Sequence, residues 1–179
     1  QDRTYKRPLV NVIVSFLNPQ VYDSARTTLL SNMYVRCFDD ATNERMYAPM
    51  AAGYSFGMSV LKDGVELQFS GYDTEMPKYM EFVSAFFKEQ ANQKSLLKQE
   101  RFDSIKKSMK LGFANSKFAQ PYKTASELMR NVLQTPNHMT KEYRDIIDSI
   151  TFQEVVDWQT QFYQDAAAEI FVHGNVRAE

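Results

Sequence analysis

Residues 53–71 read GYSFGMSVLKDGVELQFSG, and this stretch predicts a β-hairpin. Apolar residues alternate with small or polar ones in the runs Tyr54–Leu61 and Val65–Gly71, as they do in strands that are buried on one face only. Asp63-Gly64 lies between the two runs and is a dipeptide that accepts positive φ, so we expect a type I′ turn there. The hairpin indicates an antiparallel sheet with one covered face.

Two more runs extend the predicted sheet, Leu9–Leu17 and Glu169–His173. Both are rich in Val, Ile or Phe and are followed by residues typical of turns. Between the strands, apolar residues recur at helical spacing. Six helices are predicted. The first three are Ala25 to Pro49 at the latest, Pro77 to Gln90, and a helix whose apolar stripe runs from Phe102 to Phe113. The last three are Thr124 to Gln134, a short helix capped by Thr140, and a helix that begins with a capping box at Thr151 and ends near Tyr163. This order predicts an α+β fold, with a small, mainly antiparallel sheet of about four strands and helices packed on one face.

Composition bounds the class of protein. A chain of 179 residues, 44% of them hydrophobic, is long enough for one cored domain. We expect residues 1–179 to form a single α+β domain. We also expect this domain to be a fragment of a longer chain, since the sequence starts without Met and ends just after a strand-like run. A formal net charge of -1 provides no field to attract nucleic acid. No apolar run approaches the roughly 20 residues that span a bilayer, so we expect no membrane partner and interpret the chain as soluble. The sequence leaves the compartment open, with a cytoplasmic location favoured.

A possible serine nucleophile comes from Gly53 to Gly57, which match the string G-x-S-x-G. Asp157 and His173 follow in the order of an α/β-hydrolase triad, so one alternative is a free-standing serine hydrolase that uses Ser55. That chemistry needs the serine on a sharp turn between a strand and a helix, where amide donors face the oxyanion. Ser55 is instead followed by strand alternation, which favours a structural position at the start of a strand.

Metal chemistry is not indicated by the histidines. There are two, His138 and His173, and neither belongs to an H-x-x-E-H motif at helical spacing. Glu169 and His173 share one side of a strand, but four residues at about 3.3 Å each place them roughly 13 Å apart, too far to share a metal ion. We therefore assign no catalytic and no metal-binding residue to this chain. His138 is interpreted as an exposed loop residue and Cys37 as a core thiol.

A polar face is predicted on the side of the sheet away from the helices, because successive side chains of a strand point to opposite faces. The apolar set expected to pack on the helices is Val10, Val12, Val14, Phe16, Tyr54, Phe56, Met58, Val65, Leu67, Phe69, Ile170 and Val172. The polar set is Asn11, Ser15, Ser55, Ser59, Glu66, Gln68, Ser70, Glu169 and His173. Composition leaves two meanings open: a surface bathed in solvent, or the wall of a water-filled cavity that other domains complete.

The order of short motifs resembles the pitrilysin/insulysin family of zinc peptidases over nearly the whole chain. The matching stretches are YAPMAAGYS at 47–55, FSGY at 69–72, QERFDSIK at 99–106, AQPY at 119–122, SIT at 149–151 and VHGN at 172–175. Members of this family have four related α+β domains that form two bowl-like halves around a closed chamber lined by the sheets. This chain resembles the third domain, the first of the C-terminal half.

One feature of the family is missing. In its first domain, the helix after the opening strand bears the inverted zinc motif H-x-x-E-H, whereas the comparable helix here, Val21 to Cys37, contains no histidine. The resemblance therefore implies a non-catalytic domain of a zinc metalloendopeptidase, with zinc in another domain. It implies the other domains of the same polypeptide and peptide substrates as partners. The surface expected to line the substrate chamber consists of Asn11, Ser15, Ser59, Glu66, Gln68, Ser70, Glu169 and His173.

Overall fold

An antiparallel sheet of four strands forms in the computed structural model, which describes residues 7–91 and 97–176. The strands are β1 Leu9–Leu17, β2 Ser55–Val60, β3 Gly64–Tyr72 and β4 Ala167–Gly174. Their order across the sheet is β2-β3-β1-β4, so β1 and β3 are central and β2 and β4 are the outer strands. Together with six α-helices in the same ranges, this sheet confirms the predicted α+β fold. Residues 1–6, 92–96 and 177–179 of the predicted domain lie outside the described residues.

The helices begin and end close to the predicted positions. They are α1 Ala25–Ala51, α2 Met76–Ala91, α3 Gln99–Asn115, α4 Pro121–Leu133, α5 Thr140–Ile146 and α6 Phe152–Asp165. The capping box predicted for α6 is present: the Thr151 hydroxyl accepts from the Glu154 amide, and the Glu154 carboxylate accepts from the Thr151 amide. Within the described residues, no helix combines the length and the apolar composition needed to cross a bilayer.

Three helix ends differ clearly from their prediction. α4 begins at Pro121 and not at Thr124, because a proline in the first turn of a helix lacks only an amide that would have no partner there. α1 continues two residues past Pro49, because the residues beyond it still find carbonyl acceptors; the Ala52 amide donates to Ala48 at 3.1 Å. The cap of α5 is Met139, whose amide donates to the Glu142 carboxylate at 2.9 Å. Thr140 is therefore the first helical residue and not the cap.

The helices cover one face of the sheet and form the core with it. The sheet contributes the buried residues Val10, Val12, Met58, Val65, Leu67 and Phe69, and α1 contributes Leu29, Met33 and Phe38. The hydroxyl groups of Tyr34 in α1 and Tyr163 in α6 lie 3.2 Å apart and join these helices. Burying one large apolar side chain stabilises a fold by about 1.5–3 kcal/mol. The apolar residues of β1, β2 and β3 therefore determine which face of the sheet stays accessible.

The helix-facing side of β4 departs from the prediction. Ile170 pairs with Val14 and Val172 pairs with Val12, so both lie on the core side of the sheet as expected. They are nevertheless 65% and 46% exposed, and all eight residues of β4 are exposed. The reason is position: β4 is an outer strand, while α1 packs against β2 and α2 against β3. Strand alternation predicts the face of a residue but not whether a helix covers it.

The hairpin turn is correctly located, but its glycine has another role than the one predicted. The Leu61 amide donates to the Gly64 carbonyl at 2.8 Å, which leaves Lys62 and Asp63 as the turn residues. Gly64 is the first residue of β3, pairs with Leu17 and does not have positive φ, unlike Gly53 and Gly174. A Cβ at position 64 would lie 1.9 Å from the Phe16 carbonyl oxygen. Glycine is required because β1 approaches so closely and not because of the turn.

Candidate functional site

The face of the sheet opposite the helices, here called the open face, carries three complete rows of side chains. Each strand contributes one residue to each row. In the order β2-β3-β1-β4, the polar row is Ser55-Ser70-Asn11-His173, the middle row is Gly57-Gln68-Ile13-Phe171, and the acidic row is Ser59-Glu66-Ser15-Glu169. The structure thus brings together all eight residues assigned to this face from the sequence: Asn11, Ser15, Ser59, Glu66, Gln68, Ser70, Glu169 and His173. Their contact with substrate stays a prediction.

The middle row contains apolar residues that the sequence analysis did not select. Ile13 is partly buried, and Phe171 is 61% exposed between Glu169 and His173 on the same face of β4. The rings of Phe171 and His173 are nearly parallel, with an interplanar angle of 9° and centroids 6.4 Å apart. The alternation that selects Glu169 and His173 also selects Phe171, so the signal was present. A selection by polarity leaves Phe171 out, although it shares this face with the polar residues.

Two carboxylates give the acidic row its charge. Glu66 and Glu169 pair with Ser15 from opposite sides, one on β3 and the other on β4. Neighbouring strands lie about 4.8 Å apart, so the backbones that carry the carboxylates are about 10 Å apart. The Gln68 amide donates to Glu66 Oε1 at 2.6 Å and restrains that carboxylate. The three rows contain no Lys or Arg, so the open face is negative along this row.

The serine-hydrolase alternative fails on geometry. Ser55 and His173 belong to the same row but stand on the two outer strands, so three strand spacings, about 14 Å, separate their backbones. A nucleophile and its base must come within about 3 Å of each other. Asp157 lies in α6 and accepts a hydrogen bond from Gln153 at 2.8 Å. Ser55 also begins a strand and is not followed by a helix N-terminus, so no oxyanion hole forms at it.

No metal centre is assembled in the described residues, where no group of three or more His, Cys, Asp or Glu side chains is placed to hold a metal ion. Glu169 and His173 lie in different rows of β4, four residues apart. The prediction for His138 is partly wrong: it lies in a loop, but its side chain is only 11% exposed. Its Nε2 lies 3.0 Å from the Tyr22 carbonyl oxygen, and its ring packs against the Tyr22 ring. The loop folds against the 3₁₀ turn Pro19–Tyr22, and a contact so distant in sequence has no local signature.

Desolvation raises the pKa values of three titratable groups of α1, which are Tyr34, Cys37 and Asp39. Burial, assisted by the charge of Asp40, raises the pKa of the Cys37 thiol to about 12. Cys37 is 2% exposed, as predicted for a core residue. Partial desolvation also raises the pKa of Asp39, an exposed residue of the same helix, to about 6, against the opposing effect of Arg36. A protonated, buried thiol is a poor nucleophile, so Cys37 offers no catalytic chemistry.

Comparison with known sequences gives a family match. The chain matches the family model described as "Middle or third domain of peptidase_M16" over residues 1–145. It is 26% identical over 178 residues to insulin-degrading enzyme-like 2 of Arabidopsis thaliana. The aligned region covers 99% of this chain and 18% of that protein. The chain therefore spans less than a fifth of the length of this curated relative.

Comparison with solved structures shows the same fold in two settings. Pitrilysin aligns with a TM-score of 0.78 and 20% identity, over 97% of this chain and 18% of that one. The inactive peptidase domain of a putative zinc protease from Bordetella parapertussis aligns with a TM-score of 0.65 and 12% identity, over 100% of this chain and 97% of that one. This arrangement of strands and helices thus occurs both within a much longer chain and in a chain of similar length.

Proposed function

Because the chain belongs to the peptidase M16 family, as a middle or third domain, we propose that it helps to enclose the peptide-binding chamber of an insulysin- or pitrilysin-like zinc metalloendopeptidase. Zinc binding and peptide hydrolysis then take place in another domain of a longer polypeptide. This division of roles is supported by the family match and by the length of the relative, of which the chain covers 18%. Its partners are the other domains and peptide substrates. The cytoplasmic location stays a prediction.

The observation that carries this proposal is the open face. The helices bury the other face of β1, β2 and β3, which holds the backbone of these strands in place while the side chains of the open face stay accessible. β4 is held by its pairing with β1. Ser, Asn, Gln and Glu dominate its rows, and these residues tolerate water and offer hydrogen bonds to a peptide. A surface of this kind suits the wall of a wet chamber that must contact many peptides without binding one irreversibly.

The test is a titration of the ¹⁵N-labelled 179-residue chain with blocked peptides of basic, neutral and acidic composition, followed by NMR. We expect the amide shifts to concentrate on the open face and basic peptides to bind tightest. Replacing both Glu66 and Glu169 by Gln should weaken the binding of basic peptides by about three- to tenfold at low salt, and the effect should shrink as ionic strength rises. The melting temperature should change little, because no core volume is removed.

The matched control is the double variant Glu81→Gln, Glu100→Gln. Both residues are exposed and lie on helices α2 and α3, so the net charge changes equally while the open face stays intact. We expect this variant to bind basic peptides as the wild type does. Amide shifts confined to the helix side, or equal loss of affinity in both double variants, would contradict a substrate-facing role. Peptide cleavage that depends on a residue of this chain would contradict the non-catalytic role.

A further inference from the structure

Strand β1 forms the floor of the open face between two strands with longer side chains. In the acidic row its Ser15 lies between Glu66 and Glu169, and in the middle row its Ile13 lies between Gln68 and Phe171. In these two rows a short or medium side chain of β1 lies between two longer ones, whereas in the polar row Asn11 is longer than its neighbour Ser70. The acidic and middle rows therefore form a shallow channel over Ser15 and Ile13, with carboxylates beside Ser15, which is called the acidic step, and Phe171 beside Ile13, which is called the middle step.

The acidic step suits a single positive charge. A cation above Ser15 lies between the two strands that carry the carboxylates, each about one strand spacing, or 5 Å, to the side. At this separation, opposite charges attract appreciably even near water. Gln68 holds Glu66 in place, and no Lys or Arg in the rows competes for either carboxylate.

The middle step suits an apolar side chain. Ile13 provides the floor, and Phe171 provides a wall that is supported by the parallel ring of His173. At the far end of this row, a Cβ added to Gly57 would meet nothing within 4 Å, so the channel stays open toward β2. Covering the exposed part of Phe171 removes apolar surface from water, which favours an apolar ligand group.

The spacing of the two steps matches an extended peptide. Successive rows are two residues apart along a strand, which is about 6.6–6.8 Å. Side chains on one side of an extended peptide repeat at the same distance, whereas adjacent residues point to opposite sides. We infer, building on the proposed function, that the open face selects extended peptide segments in which a Lys or Arg and a large apolar residue are separated by one residue. The cation lies above Ser15 and the apolar side chain above Ile13.

The test compares two blocked heptapeptides of identical composition on the ¹⁵N-labelled 179-residue chain. One is Thr-Thr-Lys-Thr-Phe-Thr-Thr, in which Lys and Phe share a side, and the other is Thr-Thr-Lys-Phe-Thr-Thr-Thr, in which they do not. We expect the spaced peptide to have a Kd about five- to tenfold lower, with amide shifts centred on Ile13 and Ser15. Equal affinities for the two isomers on the open face would overturn the spacing rule and leave the proposed function standing. If neither isomer nor any other peptide shifts the open face, both fail.

A matched pair of variants separates the channel from the rest of β4. Phe171→Ala removes the wall and should reduce the preference for the spaced peptide to less than about twofold. Ile170→Ala changes the neighbouring residue, which is 65% exposed on the opposite face of the strand, and should keep the full preference. A preference that survives Phe171→Ala, or that is lost equally in both variants, would overturn the assignment of the apolar step to Phe171.

Discussion

The guanidinium group of Arg26 in the first turn of α1 donates to the carboxylate of Glu154 in the first turn of α6, with Nε 3.2 Å from Oε1. Glu154 also completes the capping box at Thr151, so one carboxylate serves both a helix cap and a link between helices. The hydrogen bond from Arg26, and next the backbone hydrogen bond from Thr151, lower the pKa of Glu154 below its ordinary value of 4.5. The link between the starts of α1 and α6 therefore depends on pH.

We predict that this link stabilises the fold at neutral pH and is lost in acid. A carboxylate whose pKa is lowered by folding stabilises the native state above the unfolded pKa, and the contribution disappears as pH falls through the native pKa. Glu154→Gln keeps an oxygen for the cap but removes the charge. It should cost about 0.2–1 kcal/mol at neutral pH, as for other partly exposed pairs, and progressively less as the pH falls through the native pKa. Urea unfolding at a series of pH values from neutral to acid measures the difference, and a cost that does not change with pH would contradict the prediction.

Gly64→Ala should destabilise the sheet strongly. The added Cβ would meet the carbonyl group of Phe16, and this is backbone that cannot rotate away. We expect a loss of about 1–3 kcal/mol or more in the free energy of unfolding. Gly57→Ala is the control, because it makes the same change in β2, where a Cβ would meet nothing within 4 Å, and it should stay within about 0.5 kcal/mol of the wild type. Similar losses in the two variants would show that the close approach of β1 is not the cause.

Cys37 should be unreactive in the native protein. With a pKa of about 12, only about one thiol in 10⁴ is ionised at pH 8, and the side chain is buried as well. Dithionitrobenzoate at pH 8 should therefore modify the folded chain at least about a thousandfold more slowly than the chain in concentrated guanidinium chloride. Since Cys37 is the single cysteine, the absorbance reports this site alone. Rapid, stoichiometric modification under native conditions would mean that α1 opens readily.

Ser55 should be dispensable. It lies about 14 Å from His173 across the sheet, and no helix N-terminus follows it. A fluorophosphonate probe should leave Ser55 unlabelled, as judged by mass spectrometry of the intact chain and its peptides. In the longer peptidase that we propose, Ser55→Ala should leave turnover within a few fold, whereas loss of a true nucleophile costs at least about a thousandfold. Covalent labelling of Ser55 that is abolished by His173→Ala would reopen the hydrolase interpretation.

Three strands of the sheet could be predicted from the sequence because burial on one face imposes a period of two on β1, β2 and β3. β1 begins and ends at the predicted residues, and the hairpin strands agree to within a residue or two. The same alternation predicts that Glu66 and Glu169 lie on one face of the sheet. It does not predict that β1 alone separates their strands. A shift of one residue in register would have exchanged the two faces, and the core residues prevent such a shift.

What the sequence did not predict depends on contacts between distant segments. The exposure of Ile170 follows from the absence of a covering helix over an outer strand, which no local pattern encodes. The burial of His138 follows from a loop that folds onto Tyr22, 116 residues earlier. Phe171 is a different case, because alternation gives its face correctly. It lies on the open face, away from the helices, so it stays exposed although it is aromatic.

The position of β1 in the middle of the sheet has a consequence for how the chain folds. Val12 pairs with Phe69 on one side and with Val172 on the other, so its second neighbour is synthesised 160 residues later. Closing a loop of that length costs on the order of 4–5 kcal/mol of chain entropy, far more than closing the local hairpin. At translation rates of about 5–20 residues per second, β1 waits roughly 8–30 seconds for β4 to appear. Throughout that interval a central strand of the finished sheet is an unpaired edge, and it is the segment that a chaperone or a neighbouring nascent chain would encounter first.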